Sequence, residues 1–136
     1  MALLLDTHVW AQLAEGSARL DQRTRNEIDE AVHRHELFVS IASVWELAML
    51  DGRGRIRLSL PCHEWVHAAL APRSIALANL TVDIVIASTR LPGTIHGDPM
   101  DRMIVATARE ISATLVTADR ALLRYGRAGH LDVLEA

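Results

Sequence analysis

The stretch Leu3-Leu4-Leu5-Asp6-Thr7-His8-Val9-Trp10 decides how this chain is read. Three leucines running into an acid make a short strand buried on both faces, Leu3 to Asp6, and a helix follows from about Thr7. The same grammar recurs downstream. Leu37-Phe38-Val39 is a second apolar strand, and Leu115-Val116-Thr117 a third that stops two residues before Asp119. Ile75-Ala76-Leu77 and Leu131 to Leu134 are further strand candidates. Ile41, Val44, Trp45, Ala48 and Met49 form a helical stripe with Glu46 at its edge, stopped by Asp51-Gly52-Arg53-Gly54. Arg55-Ile56-Arg57-Leu58 alternates like an exposed extended segment. Other helices are expected over Asp21 to Arg34, Pro61 to Ala71, Thr81 to Thr89 and Pro99 to Ile111. Asp98 caps the last of these and Pro99 takes its first position. Short apolar strands alternating with helices predict an α/β fold, a parallel sheet covered on both faces.

A chain of 136 residues without repeats, low-complexity tracts or linkers reads as one domain, 1–136. No apolar run approaches the about 20 residues of a membrane span, and Leu3-Leu4-Leu5 lacks the length and basic flank of a signal peptide. A single cysteine, Cys62, precludes an internal disulfide and fits a reducing compartment, so a soluble, cytoplasmic protein is expected. The net charge of −3 gives no basic footprint for nucleic acid, although cations held by an acidic site would mask several of those charges. All 14 basic residues are arginine, and the absence of lysine excludes some chemistries considered below.

Four acids stand inside hydrophobic elements rather than in solvated runs: Asp6, Glu46, Asp101 and Asp119. In open α/β sheets ligands collect beyond the carboxyl ends of strands, where Asp6 and Asp119 lie. Asp101 shares a helical face with Ile104, Val105 and Ala108, which points it toward the sheet. Glu46 can join from another helix. Repulsion between two carboxylates about 4 Å apart is about 4 kcal/mol at an effective dielectric of about 20. Such a cluster takes up protons or binds a hard cation such as Mg²⁺ or Mn²⁺, and the second outcome makes a phosphodiester-cleaving site. Each acid also has a structural reading. Asp6, Asp98 and Asp119 can cap helices, and Asp101 suits a helix N-terminus. Glu46, in mid-helix, has no such role. Asp98 reads first as a cap and second as an auxiliary ligand. Thr117 offers a hydroxyl near Asp119 as a supporting hydrogen-bond donor.

These segments resemble the PIN-domain family, and within it the VapC-type toxins of bacterial toxin–antitoxin pairs. Leu3 to Trp10 is similar to the family's opening strand and first aspartate, and Ser40-Ile41-Ala42-Ser43-Val44-Trp45-Glu46-Leu47 to the segment carrying its glutamate. His96-Gly97-Asp98-Pro99-Met100-Asp101-Arg102, continued by Met103 to Ala108, resembles the third acidic motif, and Leu115-Val116-Thr117-Ala118-Asp119 the fourth. Order and spacing match from Leu3 to about Tyr125. The resemblance implies a three-layer α/β/α fold with a mainly parallel sheet and Mg²⁺- or Mn²⁺-dependent endoribonuclease activity. It also implies a homodimer, and an inhibiting antitoxin whose peptide fills the active-site groove. Asp101 aligns with the third ligand. On this reading Asp6 and Asp101 hold the principal ion, Glu46 and Asp119 complete the site, and a cation-activated water attacks the RNA phosphorus. Arg102 beside Asp101, and the strip Arg53, Arg55 and Arg57, are candidates for RNA backbone contact.

The sequence also offers competing chemistries. His63-Glu64-Trp65-Val66-His67 spells the H-E-x-x-H pattern of zinc metallopeptidases, but its helix is short and no third ligand follows at the usual spacing. A haloacid-dehalogenase-like phosphatase wants an acid at position 8, where His8 stands, and a phosphoacceptor receiver domain wants a lysine. A non-catalytic PIN-like module that binds RNA or a partner would have no use for four retained acids. His8 and His96 read as partly exposed polar residues near the site. Trp10, Trp45 and Trp65 read as core or dimer-interface residues.

Overall fold

The computed structural model describes residues 1–17 and 19–136. Its strands are β1 (Leu3–Leu5), β2 (Leu37–Ser40), β3 (Ala76–Ala78), β4 (Thr114–Thr117) and β5 (Val133–Glu135). They form one sheet in the order β3-β2-β1-β4-β5, with every pairing parallel. The helices are α1 (Thr7–Ala14), α2 (Gln22–His33), α3 (Ile41–Gly52), α4 (Cys62–Leu70), α5 (Val82–Ser88), α6 (Pro99–Glu110) and α7 (Arg120–Arg127). Among the described residues no helix is long and apolar enough to cross a membrane.

The three leucines of β1 make the sheet's centre. They sit opposite Leu37, Phe38 and Val39 on one side and Thr114, Leu115 and Val116 on the other. Side chains alternate across a strand, so β1 feeds two cores. Leu3, Leu5 and Val116 pack with Val9, Trp10, Ile28 and Trp65 from α1, α2 and α4. Leu4 and Leu115 pack with Ile104, Val105, Ala108, Leu122 and Tyr125 from α6 and α7. A strand buried on both faces carries no polar alternation, which explains its uninterrupted leucines. The result is the expected three-layer α/β/α arrangement.

Caps fall where the sequence puts them. Asp21 accepts from the Thr24 amide at 2.8 Å, and Asp98 accepts from the amides of Met100 and Asp101, both at 3.0 Å. The Arg55 to Leu58 segment joins no strand, but its alternation holds: both arginines are exposed while Ile56 and Leu58 pack against the first core.

The stripe expected on α3 is corrected. Its buried residues are Ala42, Ser43, Leu47 and Leu50, whereas Trp45 is 57% exposed. Ala42 and Ser43 face the start of α1, where Thr7 Oγ1 donates to Ser43 Oγ at 3.0 Å, and Leu47 and Leu50 complete the buried face. The other two tryptophans are core: Trp10 and Trp65 meet edge to face with centroids 5.2 Å apart, and Trp65 Nε1 donates to Glu15 Oε1 at 2.8 Å. Trp65→Ala is expected to lower stability by about 3–5 kcal/mol, and Trp45→Ala to change it by less than about 0.5 kcal/mol. Urea unfolding followed by circular dichroism measures both, and equal losses would contradict this packing.

Candidate metal centre

β1 lies between β2 and β4, so helices leave the carboxyl ends of β1 and β4 in a crevice where the strand order reverses. Crevices of this kind are where doubly wound sheets bind ligands. Asp6 is the first residue past β1 and is 8% exposed. One oxygen accepts from the Thr7 amide at 2.9 Å, capping α1, and the other accepts from the Thr117 hydroxyl at 2.6 Å. Both bonds favour the ionised carboxylate. Burial outweighs them, and the Asp6 carboxyl is raised above its ordinary range, with Asp119 adding to the rise and His8 opposing it.

Glu46 arrives from α3 and Asp101 from the first turn of α6. Oxygens of Asp6, Glu46 and Asp101 lie within 4.8 Å of one another. They open into a cavity of about 240 Å³ whose wall includes His8, Gln12 and Asp119. Burial raises Glu46 too, with Asp6 and Asp98 adding and the adjacent Thr7 hydroxyl lowering. Asp101 is pushed up to about 7, first by burial and then by Asp98, Asp6, Glu46 and Asp119. Three crowded carboxyls with raised pKa values are short of positive charge. The donor set is all oxygen, which suits a hard divalent cation rather than zinc or copper. The residues therefore fit a hard divalent cation.

The remaining expected residues are distributed as follows. Asp119 is exposed on the cavity wall, outside the group of three, and caps α7 by accepting from the Leu122 amide at 3.1 Å. Asp98 is the cap of α6 and acts on Glu46 and Asp101 through its charge. Thr117 lies beside Asp119, accepting from its backbone amide at 3.0 Å, and its hydroxyl proton goes to Asp6. Arg102 donates to the carbonyls of Ser88, Ile95 and His96 and so braces the segment before α6. Arg53, Arg55 and Arg57 are exposed beyond the far end of α3, with Arg53 about 10 Å along the helix axis from Glu46. His63 and His67 stack on the exposed side of α4, rings 4.5 Å apart, and no third ligand joins them among the described residues.

Sequence reasoning missed the Thr7–Ser43 pair, which fixes α1 against α3, and the contact of His96, expected only near the site, whose Nε2 lies 3.3 Å from Asp101 Oδ2. His96 was visible only as a neighbour of the acidic motif. The Thr7–Ser43 contact crosses 36 residues and leaves no local signal.

The chain matches the family model of the PIN domain over residues 3–128. It belongs to the PIN-domain family. This PIN domain is 34% identical over 120 residues to ribonuclease VapC22 of Mycobacterium tuberculosis, the match covering 88% of each chain. Its fold is similar to that in VapBC2 of Rickettsia felis bound to promoter DNA, with a TM-score of 0.70 at 16% identity over 99% of this chain and 98% of that one. FitAcB of Neisseria gonorrhoeae gives 0.63 at 19% identity, covering 97% and 96% of the respective chains. At such identities these structures speak to the fold alone.

The acidic centre of this PIN domain predicts a pH signature in cation-free buffer. Between its ordinary value of 3.8 and about 7, Asp101 holds a proton in the folded state that the unfolded chain has released. Stability therefore falls as pH rises through that window and levels off above it. Asp101→Asn is expected to flatten the fall and to raise the melting temperature of cation-free protein at pH 8. Mg²⁺ or Mn²⁺ should raise the wild-type melting temperature at that pH more than the variant's. Identical pH profiles for the two proteins would refute the crowding of Asp101.

Proposed function

We propose that this PIN domain, residues 1–136 acting as a single unit, is an Mg²⁺- or Mn²⁺-dependent endoribonuclease serving as the toxin of a toxin–antitoxin pair. The observation that carries the reading is the convergence of Asp6, Glu46 and Asp101 at the strand-order reversal, with oxygens within 4.8 Å of one another. The 34% identity to ribonuclease VapC22 supports the substrate class. The similarity in fold to the toxin–antitoxin complexes VapBC2 and FitAcB supports a cognate antitoxin as partner. A homodimer belongs to the same reading, and Val82 and Ile86 of α5, 75% and 47% exposed, are apolar surface available to a second copy. The proposed setting is the cytoplasm.

Asp6, Glu46 and Asp101 would hold the cation directly, with Asp119 on the cavity wall as an auxiliary acid and Asp98 contributing charge. Bound there, a hard divalent cation supplies Lewis-acid polarisation of the phosphodiester and activation of water for in-line attack. The chain's own contribution is positional. Thr117 and the Thr7 amide fix both oxygens of Asp6 against rotation, so its remaining lone pairs face the cavity. Asp101 surrenders its proton when positive charge enters and restores balance to the cluster. No side chain needs to bond phosphorus. Cys62, the single thiol, sits on α4 with its pKa raised by burial and by Asp51, which leaves it protonated and unreactive.

RNA-end sequencing after brief expression, wild type beside Asp6→Asn, tests the assignment. New ends are expected from the wild type and none from the variant, and the same ends from both would remove Asp6 from the chemistry. Thr117→Val keeps the side chain's shape but deletes the proton shared with Asp6. It is expected to cost about 10- to 100-fold in divalent-cation affinity or cleavage rate. Titration calorimetry with Mn²⁺ and a cleavage time course read it.

A further inference from the structure

Beside the acidic cavity lies a second one of about 520 Å³, between α7 and the segment Gly93–His96. Its character is the reverse of its neighbour's. Arg124, His96 and His130 line it together with Tyr125, and no carboxylate does. The two share a wall: His96 lines this cavity while its Nε2 lies 3.3 Å from Asp101 Oδ2. Ala121, also in the lining, is two residues from Asp119 of the acidic wall. Arg124 follows Asp119 by five residues, about 7.5 Å along the helix axis. The Arg124 guanidinium is exposed and makes no ion pair or hydrogen bond among the described residues.

The cavity is built rather than incidental. Tyr125 donates its hydroxyl proton to the Pro92 carbonyl at 2.5 Å, and Arg102 holds the carbonyls of Ile95 and His96, both at 3.4 Å. Gly93 has a φ of +71° and lies flat against the His130 imidazole, where any Cβ would overlap the ring. Arg109 donates to the His130 carbonyl and fixes the base of that residue. Three separate elements thus lock the loop onto α7. Such rigidity suits a site that binds without first paying to order itself.

We propose that this cavity is a phosphate subsite for the RNA strand, taking the phosphate next to the scissile one on Arg124. The inference rests on the ribonuclease reading and adds to it the surface that holds substrate. An acidic centre in a chain of net charge −3 repels a polyanion, so local cationic groups must offset that repulsion. The volume is in the range of ordinary ligand pockets. The Arg124 fork, unpaired among the described residues, suits a phosphate bidentately.

The test reads binding apart from cleavage. A fluorescent single-stranded RNA oligonucleotide is titrated into full-length Asp6→Asn protein, alone and combined with Arg124→Ala or Arg127→Ala, across a salt series. Arg127 is an exposed residue of the same helix outside the cavity, so the two combinations carry the same charge change. Arg124→Ala is expected to weaken binding about ten-fold and to reduce the salt slope by about one, with Arg127→Ala near the parent. The same comparison in EDTA-treated protein with Asp6 intact guards against a folding defect of the background. Equal weakening by both substitutions, no change with either, or no RNA binding by the parent overturns the subsite. Failure of the ribonuclease reading appears separately, as absence of cleavage by the wild type with Mg²⁺ or Mn²⁺.

Discussion

A carboxylate kept out of water at the end of the central strand is the constraint around which the molecule is organised. Asp6 is buried by the two cores that β1 feeds, and it remains there because both its oxygens are hydrogen-bonded. One bond starts α1. The other reaches 111 residues along the chain to β4 and so ties the two strands that flank the reversal point. Leaving either partner unmade would expose an unsatisfied acid in a dry place. The local geometry of one residue thus links a helix start, a strand pairing and a site.

Charge crowding follows from that placement. Glu46 and Asp101 come from two different helices, α3 and α6, and burial raises both carboxyls above their ordinary range. The fold accepts this cost because hydrophobic burial of β1, β4 and their flanking helices supplies the stability elsewhere. Strain of this kind is what a cation relieves. The basic groups on α7 stand apart from the acids, with His96 alone spanning the boundary.

Much of this was legible in the sequence, for identifiable reasons. Strands buried on both faces announce themselves as apolar runs, so β1, β2 and β4 were readable within a residue or so. Acids that break such runs marked the site, and Asp98-Pro99 marked the start of α6. What escaped was decided by long-range geometry. Trp45 reads as core by periodicity, yet α3 buries the face carrying Ala42, Ser43, Leu47 and Leu50 instead. Thr117 was seen beside Asp119, but its proton goes to Asp6 across two strands. Nothing local tells that three backbone carbonyls await Arg102. Asp119, placed with the ligands by its motif, lies on the cavity wall, and its cap to α7 explains its position without a cation.

The unequal placement of the three indoles gives the molecule a built-in optical reporter. Trp10 and Trp65 are sealed from solvent, so aqueous quenchers such as iodide have no access to them. Trp45, open to water and adjacent in sequence to Glu46, supplies the quenchable share of the emission. Iodide sensitivity therefore reads the exposed face of α3 without any attached dye, while the protected fraction reads the interior between α1 and α4.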